Sequence, residues 1–193
     1  MKNIAALFLV LLTVATPLFA EELCQFKDIP FGTKKSAVLD KLDYKNKGSW
    51  QSGNSYFLHS YKLGDRHVTL VAEFDDNDLF YRFIFNFKGY GPDEDGVKLI
   101  KDDYSYISTV FVDKYGNPAK INPIDKLKLI VIDKPEPLQE WNTGTCHAYV
   151  GIGKDFQKFN ATAAVFDTGL LDAQIARREN KKMDGLNRAK KDF

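Results

Sequence analysis

The sequence is poor in the residues and motifs that usually reveal an activity. Its 193 residues include only two cysteines, two methionines and two tryptophans. Lys and Arg total 27 against 26 for Asp and Glu, so no excess of positive charge indicates nucleic-acid binding. The chain has no Gly-x-Ser-x-Gly elbow, metalloprotease helix or cofactor fingerprint. These absences exclude the enzyme classes that a single short motif identifies. The 15 Phe and 9 Tyr residues favour a β-rich core instead.

Long apolar runs are also scarce, and the one present stands at the start of the chain. Lys2 supplies a positive charge, residues 4–14 are almost all apolar, and Pro17 precedes a small residue, Ala20. This pattern predicts a secretory signal peptide over residues 1–20. The apolar run is too short to span a bilayer comfortably, so it does not indicate a transmembrane helix. No later segment is long and apolar enough to do so. We therefore expect a periplasmic or secreted protein without a transmembrane segment.

The two cysteines, Cys24 and Cys146, are candidates for a disulfide. An even count in an exported chain favours a bridge, which would tie the mature N-terminus to the second half of the chain. The alternative is two unpaired cysteines, one of them buried. A nucleophilic role is not indicated, because the adjacent His147 would point to the opposite face of a strand from Cys146.

The segment from Tyr56 to Lys88 alternates as a half-buried antiparallel sheet does. Gly64-Asp65 is suited to a two-residue hairpin turn, and residues 75–78 are suited to a second turn. Together these two turns predict a three-stranded meander.

The turns also predict a register, because side chains alternate across a strand. His59 should face Leu70, Phe74 should face Leu79, and Ala72 should face Tyr81. The expected core face contains Phe57, Tyr61, Leu63, Val68, Leu70, Ala72, Phe74, Leu79, Tyr81, Phe83, Phe85 and Phe87. The other face contains Ser60, Lys62, His67, Thr69, Glu73, Arg82, Asn86 and Lys88, with Val71, Phe80 and Ile84 among them.

Helical patterns flank this meander. Residues 34–43 are expected to form a short helix capped by Thr33, and residues 45–53 a loop or weak strand that contains Trp50. After the meander, apolar residues recur at three- and four-residue steps from residue 97. This helix should stop at Gly116-Asn117-Pro118, since Gly suits the residue past a helix end and Pro cannot continue the helix.

The second half is expected to contain further strands and a basic end. Strands are predicted at residues 126–133 and 161–167, and between them a hairpin about Thr143-Gly144. Cys146, Ala148, Val150 and Ile152 should share one face. Residues 170–193 are compatible with a helix.

The order of elements predicts an α+β fold, with antiparallel β-meander sheets and helices packed on one face. A faint internal similarity, Leu70–Asp75 against Thr162–Asp167, suggests two tandem αβββ halves. The expected organisation after the signal peptide is a first half over residues 21–90, a second half over 91–170, and a basic C-terminal helix or tail over 171–193.

Two stretches carry a resemblance to known proteins. Residues 26–33, Phe-Lys-Asp-Ile-Pro-Phe-Gly-Thr, resemble the opening of many small exported bacterial proteins of unknown function. Residues 113–118, Trp141 and the strand end Phe166-Asp167 resemble the later part of the same proteins. The helix-plus-meander pattern is similar to the β-lactamase-inhibitor-protein-like fold and to the small domain of the outer-membrane assembly lipoprotein BamE. The resemblance implies a periplasmic binding or scaffold module and supplies no catalytic residues.

Metal sites are not indicated. His59 and His67 should point to opposite faces of one hairpin, and His147 lies in the other half, so the three imidazoles do not converge. The acidic turn Asp75–Asp78 lacks the Gly and the distant Glu of a calcium loop. Its side chains are expected to cap backbone amides instead. We therefore expect no metal, no cofactor and no catalytic residue.

An interaction surface is the remaining candidate site. Trp50, Phe80, Ile84 and Trp141 could form an exposed apolar surface, or the second half of the chain could cover them. We expect a non-enzymatic module that binds another envelope or secreted protein, as an inhibitor or an envelope-assembly partner. The alternatives are a cell-envelope hydrolase with dispersed catalytic residues and a carrier of a small apolar ligand. The basic segment 177–191 either touches anionic lipid or is a solvated helix or tail.

Overall fold

The computed structural model describes residues 24–122, 136–155 and 157–189 of the chain. The predicted signal peptide and the strand expected at residues 126–133 lie outside the described residues. Within those ranges the protein has an α+β fold, with one antiparallel sheet of eight strands and a second sheet of two strands. No helix of the described part is long and apolar enough to cross a bilayer.

The first half begins with the small sheet and ends with a meander. Its strands and helices are β1 (Gln25–Phe26), β2 (Ile29–Pro30), α1 (Lys35–Lys41), α2 (Tyr44–Lys47), β3 (Trp50–Ser52), β4 (Ser55–Leu63), β5 (Arg66–Phe74) and β6 (Phe80–Asn86). Helix α1 starts after Lys34 rather than at Thr33, whose hydroxyl donates to the Pro30 carbonyl at 2.7 Å. Of the loop or weak strand expected at residues 45–53, the strand that contains Trp50 is confirmed as the short edge strand β3, and the helix α2 before it was not expected.

The second half repeats the order of a helix followed by strands. Its elements are α3 (Glu94–Tyr115), β7 (Lys120–Ile121), β8 (Glu136–Thr143), β9 (Cys146–Asp155), β10 (Lys158–Asp167) and α4 (Thr168–Ala189). Helix α3 begins before residue 97, because Asp93 accepts a hydrogen bond from the Gly96 N–H at 2.8 Å and acidic residues fill the first turn. It ends as predicted at Gly116, where φ is +76°.

The eight strands follow the order β3-β4-β5-β6-β10-β9-β8-β7. The last strand of each half therefore lies in the middle of the sheet, and the two halves share one sheet. In this central pairing Phe85 lies opposite Ala163, and Phe83 lies opposite Val165. We call the β6–β10 pairing the seam. The division of the chain at residue 90 into two related domains stays a prediction.

One hydrophobic cluster crosses the seam and forms the core. It includes Leu70 and Phe83 from the first half and Ala163 from the second, all buried. Val38 of α1 and Ile107 of α3 belong to the same cluster. Cys146, Ala148, Val150 and Ile152 are all buried, as their expected common face requires. The expectation that the helices pack together on one face of the sheet stays a prediction.

The register between β4 and β5 differs from the prediction. His59 was expected opposite Leu70, but Leu58 takes that place because the pairing shifts between Leu58 and Tyr61. Ser60 has φ +55° within this irregularity, which marks a β-bulge. An extra residue reverses the alternation, so Leu58 is buried in the core and Phe57 lies on the opposite face.

The register between β5 and β6 also differs, by two residues as far as Glu73 and by one at Phe74. Ala72 lies opposite Phe83 rather than Tyr81, and Phe74 lies opposite Phe80 rather than Leu79. A shift of two preserves the side on which each residue lies, so Phe83 remains in the core. A second irregularity next to Phe74 corrects two assignments. Phe80 is fully buried in the core, and the Tyr81 hydroxyl donates to Glu73 on the other face.

Cys24 and Cys146 form a disulfide, with 5.5 Å between their Cα atoms. The bridge joins the residue before β1 to the first residue of β9, and thus the start of the described chain to its second half. Disulfides of this kind persist in oxidising compartments and are typical of exported proteins.

The acidic turn after β5 holds α4. The Asp75 carboxylate accepts from the backbone N–H groups of Asn77 at 2.8 Å and Leu79 at 2.9 Å, and Arg177 of α4 donates to its second oxygen. Gln174 accepts from the Asp76 N–H and donates to the Asp76 carboxylate, both at 2.9 Å. The expected capping turn is therefore confirmed. We call these contacts, with Lys181 to Asp76 at 2.6 Å, the α4 clasp.

We predict that replacing both cysteines by serine lowers the free energy of unfolding by about 4–5 kcal/mol, because the bridge closes a long loop of the unfolded chain. The two cysteines are 122 positions apart. Urea titration followed by circular dichroism measures the loss. Wild-type protein kept reduced should unfold at the same lowered midpoint. An unchanged midpoint in both samples would contradict the prediction.

We predict that Asp75→Ala is much more costly than Asp78→Asn, although both remove an ion pair from one turn; asparagine tolerates the positive φ of residue 78, +60°. Asp75 is buried, so its removal leaves two backbone donors and Arg177 without an acceptor, at a cost of about 3 kcal/mol. Asp78 pairs with Lys35 at the surface, where a pair is worth about 0.5 kcal/mol. Urea midpoints compare the two variants, and equal losses would show that the buried carboxylate has no special role.

Candidate binding groove

The face of the sheet opposite the core carries rows of paired side chains that cross the seam. Thr69 lies opposite Asn86, and Asn86 lies opposite Thr162. The Thr162 hydroxyl donates to the Asn86 side-chain oxygen at 2.9 Å. These three polar side chains, from β5, β6 and β10, form the floor of a shallow groove.

An aromatic pair bounds this floor on the side of the edge strand β3. Trp50 lies opposite Phe57, and their rings stack with 3.9 Å between centroids and 8° between planes. Trp50 is still 47% exposed. Phe57 occupies this place because the bulge at Ser60 moves it away from the core. The Phe57 ring holds the indole, and the exposed surface of the indole is open to a ligand.

Lysines bound the floor on the other side. Lys88 follows β6, Lys154 lies near the end of β9, and Lys158 begins β10. The Lys88 ammonium lies 5.7 Å from the centre of the Tyr90 ring, and that of Lys154 lies 5.6 Å from the Phe159 ring. None of the three forms an ion pair with a carboxylate whose side chain the structure describes.

Together these parts form a groove of about 560 Å³, which is within the usual size of ligand sites. We call it the open-face groove, defined by Trp50, Phe57, Thr69, Asn86, Lys88, Lys154, Lys158 and Thr162. His59 and Asn160 also line it, and the His59 Nδ1 lies 2.9 Å from the Thr69 hydroxyl oxygen. No carboxylate side chain lines it among the described residues. The groove is therefore basic at one end and aromatic at the other.

Two glycines keep the basic end open. A Cβ atom on Gly153 would lie 3.0 Å from the Asn160 side-chain oxygen, and a Cβ atom on Gly89 would lie 3.0 Å from Cβ of Lys158. Both distances are shorter than ordinary van der Waals contact. Side chains at these positions would therefore press on two groups that line the groove.

A second basic hollow, of about 480 Å³, lies beside the first half but has fewer available charges. Lys27 lies 4.8 Å from the centre of the Tyr61 ring, Lys41 donates to the Asp28 carbonyl at 2.9 Å, and Lys47 pairs with Asp43. Lys62 is the fourth lysine of this hollow. Because two of the four ammonium groups already have oxygen partners, the open-face groove is the better candidate for binding an anion.

A polar cluster lies further along the same face. The Glu73 carboxylate accepts from Ser55 at 3.1 Å, from Tyr81 at 3.0 Å and from Arg82 at 2.6 Å. Burial, with the neighbouring Glu73 charge, raises the pKa of Tyr81 to about 12. Burial also raises the pKa of Tyr149. These groups satisfy one another and hold neighbouring strands together.

His147 belongs to a separate cluster near β8. Its Nδ1 is hydrogen-bonded to Asn142, and its Nε2 lies 3.5 Å from Glu140, which pairs with Lys120 at 3.0 Å. Burial lowers the pKa of His147 more than the neighbouring Glu140 charge raises it. Within the described residues, no group of three or more His, Cys, Asp or Glu is placed to hold a metal ion.

The structure corrects half of the expected interaction surface. Trp50 is exposed and Ile84 is half-buried, but Phe80 and Trp141 are buried in the core. The Trp141 indole N–H donates to the Gly116 carbonyl at 2.8 Å, and its ring packs 5.7 Å from that of Phe111. Phe80 and Trp141 are therefore covered, which was the second alternative, and an interaction surface at Trp50 and Ile84 stays a prediction.

The expected placement of two histidines is wrong for the same reason as that of Phe57. His59 was predicted to point away from His67, but the bulge at Ser60 turns His59 toward Thr69, and strand alternation places His67 on the Thr69 face. The sequence reasoning also missed the three groove lysines. Lys154 and Lys158 lie on one hairpin, but Lys88 is distant along the chain and reaches them only through the seam.

No family model, no curated protein sequence and no solved structure matches this chain. The resemblance to β-lactamase-inhibitor-protein-like and BamE-like proteins therefore stays a prediction.

Proposed function

We propose that this protein is a non-enzymatic binding module that holds an acidic, extended segment of another exported protein in the open-face groove. The observation that carries the proposal is the exposed Trp50 at one end of a groove with three lysines and no described carboxylate. The disulfide and the apolar run at the start of the chain support a periplasmic or secreted location.

The shape of the groove suits an extended segment. It crosses several strands, from the aromatic pair at the sheet edge to the hairpin between β9 and β10. Thr69, Asn86 and Asn160 supply hydroxyl and amide groups that can pair with a peptide backbone. Trp50 offers an apolar contact of the kind that often contributes most to protein recognition.

The charges of the groove select an acidic segment. Lys88, Lys154 and Lys158 have no described carboxylate partner, and none lines the groove. An acidic segment would therefore gain attraction at little cost in lost ion pairs, and the attraction would weaken with added salt. The net charge of the whole chain is only +1, so this basic patch is local.

The two alternative functions receive less support from the geometry. A hydrolase needs titratable groups at the substrate, but His59 is the groove's imidazole and no described carboxylate lines the groove to assist it. An apolar-ligand carrier needs space beside apolar side chains, whereas large core residues such as Phe74, Ile107 and Phe83 are packed with almost no exposure.

We predict that reversing the three groove lysines, Lys88→Glu, Lys154→Glu and Lys158→Glu, weakens binding of a fluorescein-labelled deca-glutamate peptide at least tenfold. Fluorescence anisotropy in low salt measures the affinity. Trp50→Ala should weaken it severalfold, because the exposed ring is lost. A control with Lys45, Lys98 and Lys101 reversed, all exposed outside the groove, should bind as the wild type does. Equal binding by the groove and control variants would contradict the proposal.

The natural partner can be sought with the same variants. A protein recovered from a periplasmic extract with the wild type and the control, but not with the triple groove variant, would be the proposed partner. Absence of any protein with this pattern would contradict the proposal. Groove-dependent binding of polygalacturonate but not of the peptide would replace the protein segment by an anionic glycan.

A further inference from the structure

Helix α4 docks on its own domain through polar side chains. Gln174, Arg177 and Lys181 reach the Asp75–Asp76 turn, and Gln174 is almost completely buried there. A helix on a protein surface usually does the reverse, with its apolar stripe inward and its charges outward.

The outward side of α4 carries three exposed apolar side chains, whereas Leu170 and Leu171 at its start are half-buried. Ile175 is 48% exposed, Met183 is 54% exposed and Leu186 is 47% exposed. At about 100° per residue, Leu186 lies about 20° and Met183 about 80° from Ile175 around the helix. The clasp residues lie about 100–160° from Ile175 by the same rule. We call the three exposed residues the α4 stripe.

Two opposite charges lie within this stripe. Glu179 and Lys182 are exposed, and each lies about 20–40° from Ile175 around the helix axis. Neither forms an ion pair with a described residue. The stripe therefore has Ile175 and Leu186 at its two ends, and the acidic Glu179 and basic Lys182 lie near its centre.

This order makes the stripe complementary to itself. Glu179 and Lys182 are equally distant from the midpoint between residues 180 and 181, and so are Ile175 and Leu186. Two antiparallel copies of α4 related by a two-fold axis at that midpoint would place Ile175 against Leu186 and Glu179 against Lys182, each twice, and would place Met183 against Arg178. Such matching of one surface with its own copy is what a two-fold interface requires.

We propose that the protein self-associates through α4, which pairs antiparallel with α4 of a second copy of this chain. The charges of the outward side favour this partner over an anionic membrane, because Asp172 and Glu179 lie beside the stripe along with Lys182 and Arg178. A contact made by one helix from each chain is small, so the dimer is weak and forms at high protein concentration. The groove residues take no part in it, so this proposal stands or fails separately from the proposed function.

We predict that sedimentation velocity of the disulfide-bonded protein shows a monomer–dimer equilibrium between about 10 μM and 1 mM, as small interfaces give. Glu179→Lys alone and Lys182→Glu alone should each weaken dimerisation at least fivefold, because like charges then face each other twice. The double variant, Glu179→Lys with Lys182→Glu, should recover the wild-type affinity within twofold. Lys98→Glu on α3 is the matched control and should have no effect.

The rescue by the double variant identifies the antiparallel pairing, because loss of folding would not be repaired by a second reversal. Circular dichroism checks that each variant is folded. A wild type that stays monomeric at 1 mM, or a double variant as weak as the single ones, would overturn the proposal. Binding of the monomer to phosphatidylglycerol vesicles without dimerisation would also overturn it and assign the stripe to a membrane surface.

Discussion

The antiparallel pairing of β6 with β10 is the contact on which the rest of the structure depends. It joins two four-stranded meanders by their last strands, so neither half leaves an open edge in the middle of the sheet. On the core face it brings Phe85 against Ala163 and makes the hydrophobic cluster continuous. On the opposite face it brings Asn86 against Thr162 and forms the floor of the groove. Core and candidate site thus depend on the same backbone hydrogen bonds.

Two further contacts fix the ends of the described chain to this sheet. The disulfide ties Cys24 to the start of β9, and the α4 clasp ties the last helix to the turn between β5 and β6. Because the clasp uses polar side chains, it leaves the apolar side of α4 free for another contact. The groove and the stripe therefore have different origins, one from the seam and the other from the way the last helix is attached.

Local patterns predicted most elements, and the errors have identifiable causes. The alternation of apolar and polar residues around Phe83 is a local signal, and so is the glycine that ends the long helix at Gly116. The meander and the long helix were therefore predicted correctly. The bulge at Ser60 was missed because serine gives no sign of a positive φ. The bulge reverses the alternation of the preceding residues, so the prediction assigned Phe57 and His59 to the wrong faces of the sheet. Lys88 meets Lys154 and Lys158 only because β6 pairs with the distant strand β10, and one sequence contains no signal for such a contact.

Hydrogen exchange of individual amides tests the central claim most directly. If the seam unites the two halves, hydrogen-bonded amides within residues 82–86 and 162–166 should exchange last and through one common opening, with the free energy of global unfolding. Urea should lower the protection of both strands together. Exchange of either strand through an opening that leaves the other protected would show that the halves are separate units, and would contradict the account of both core and groove.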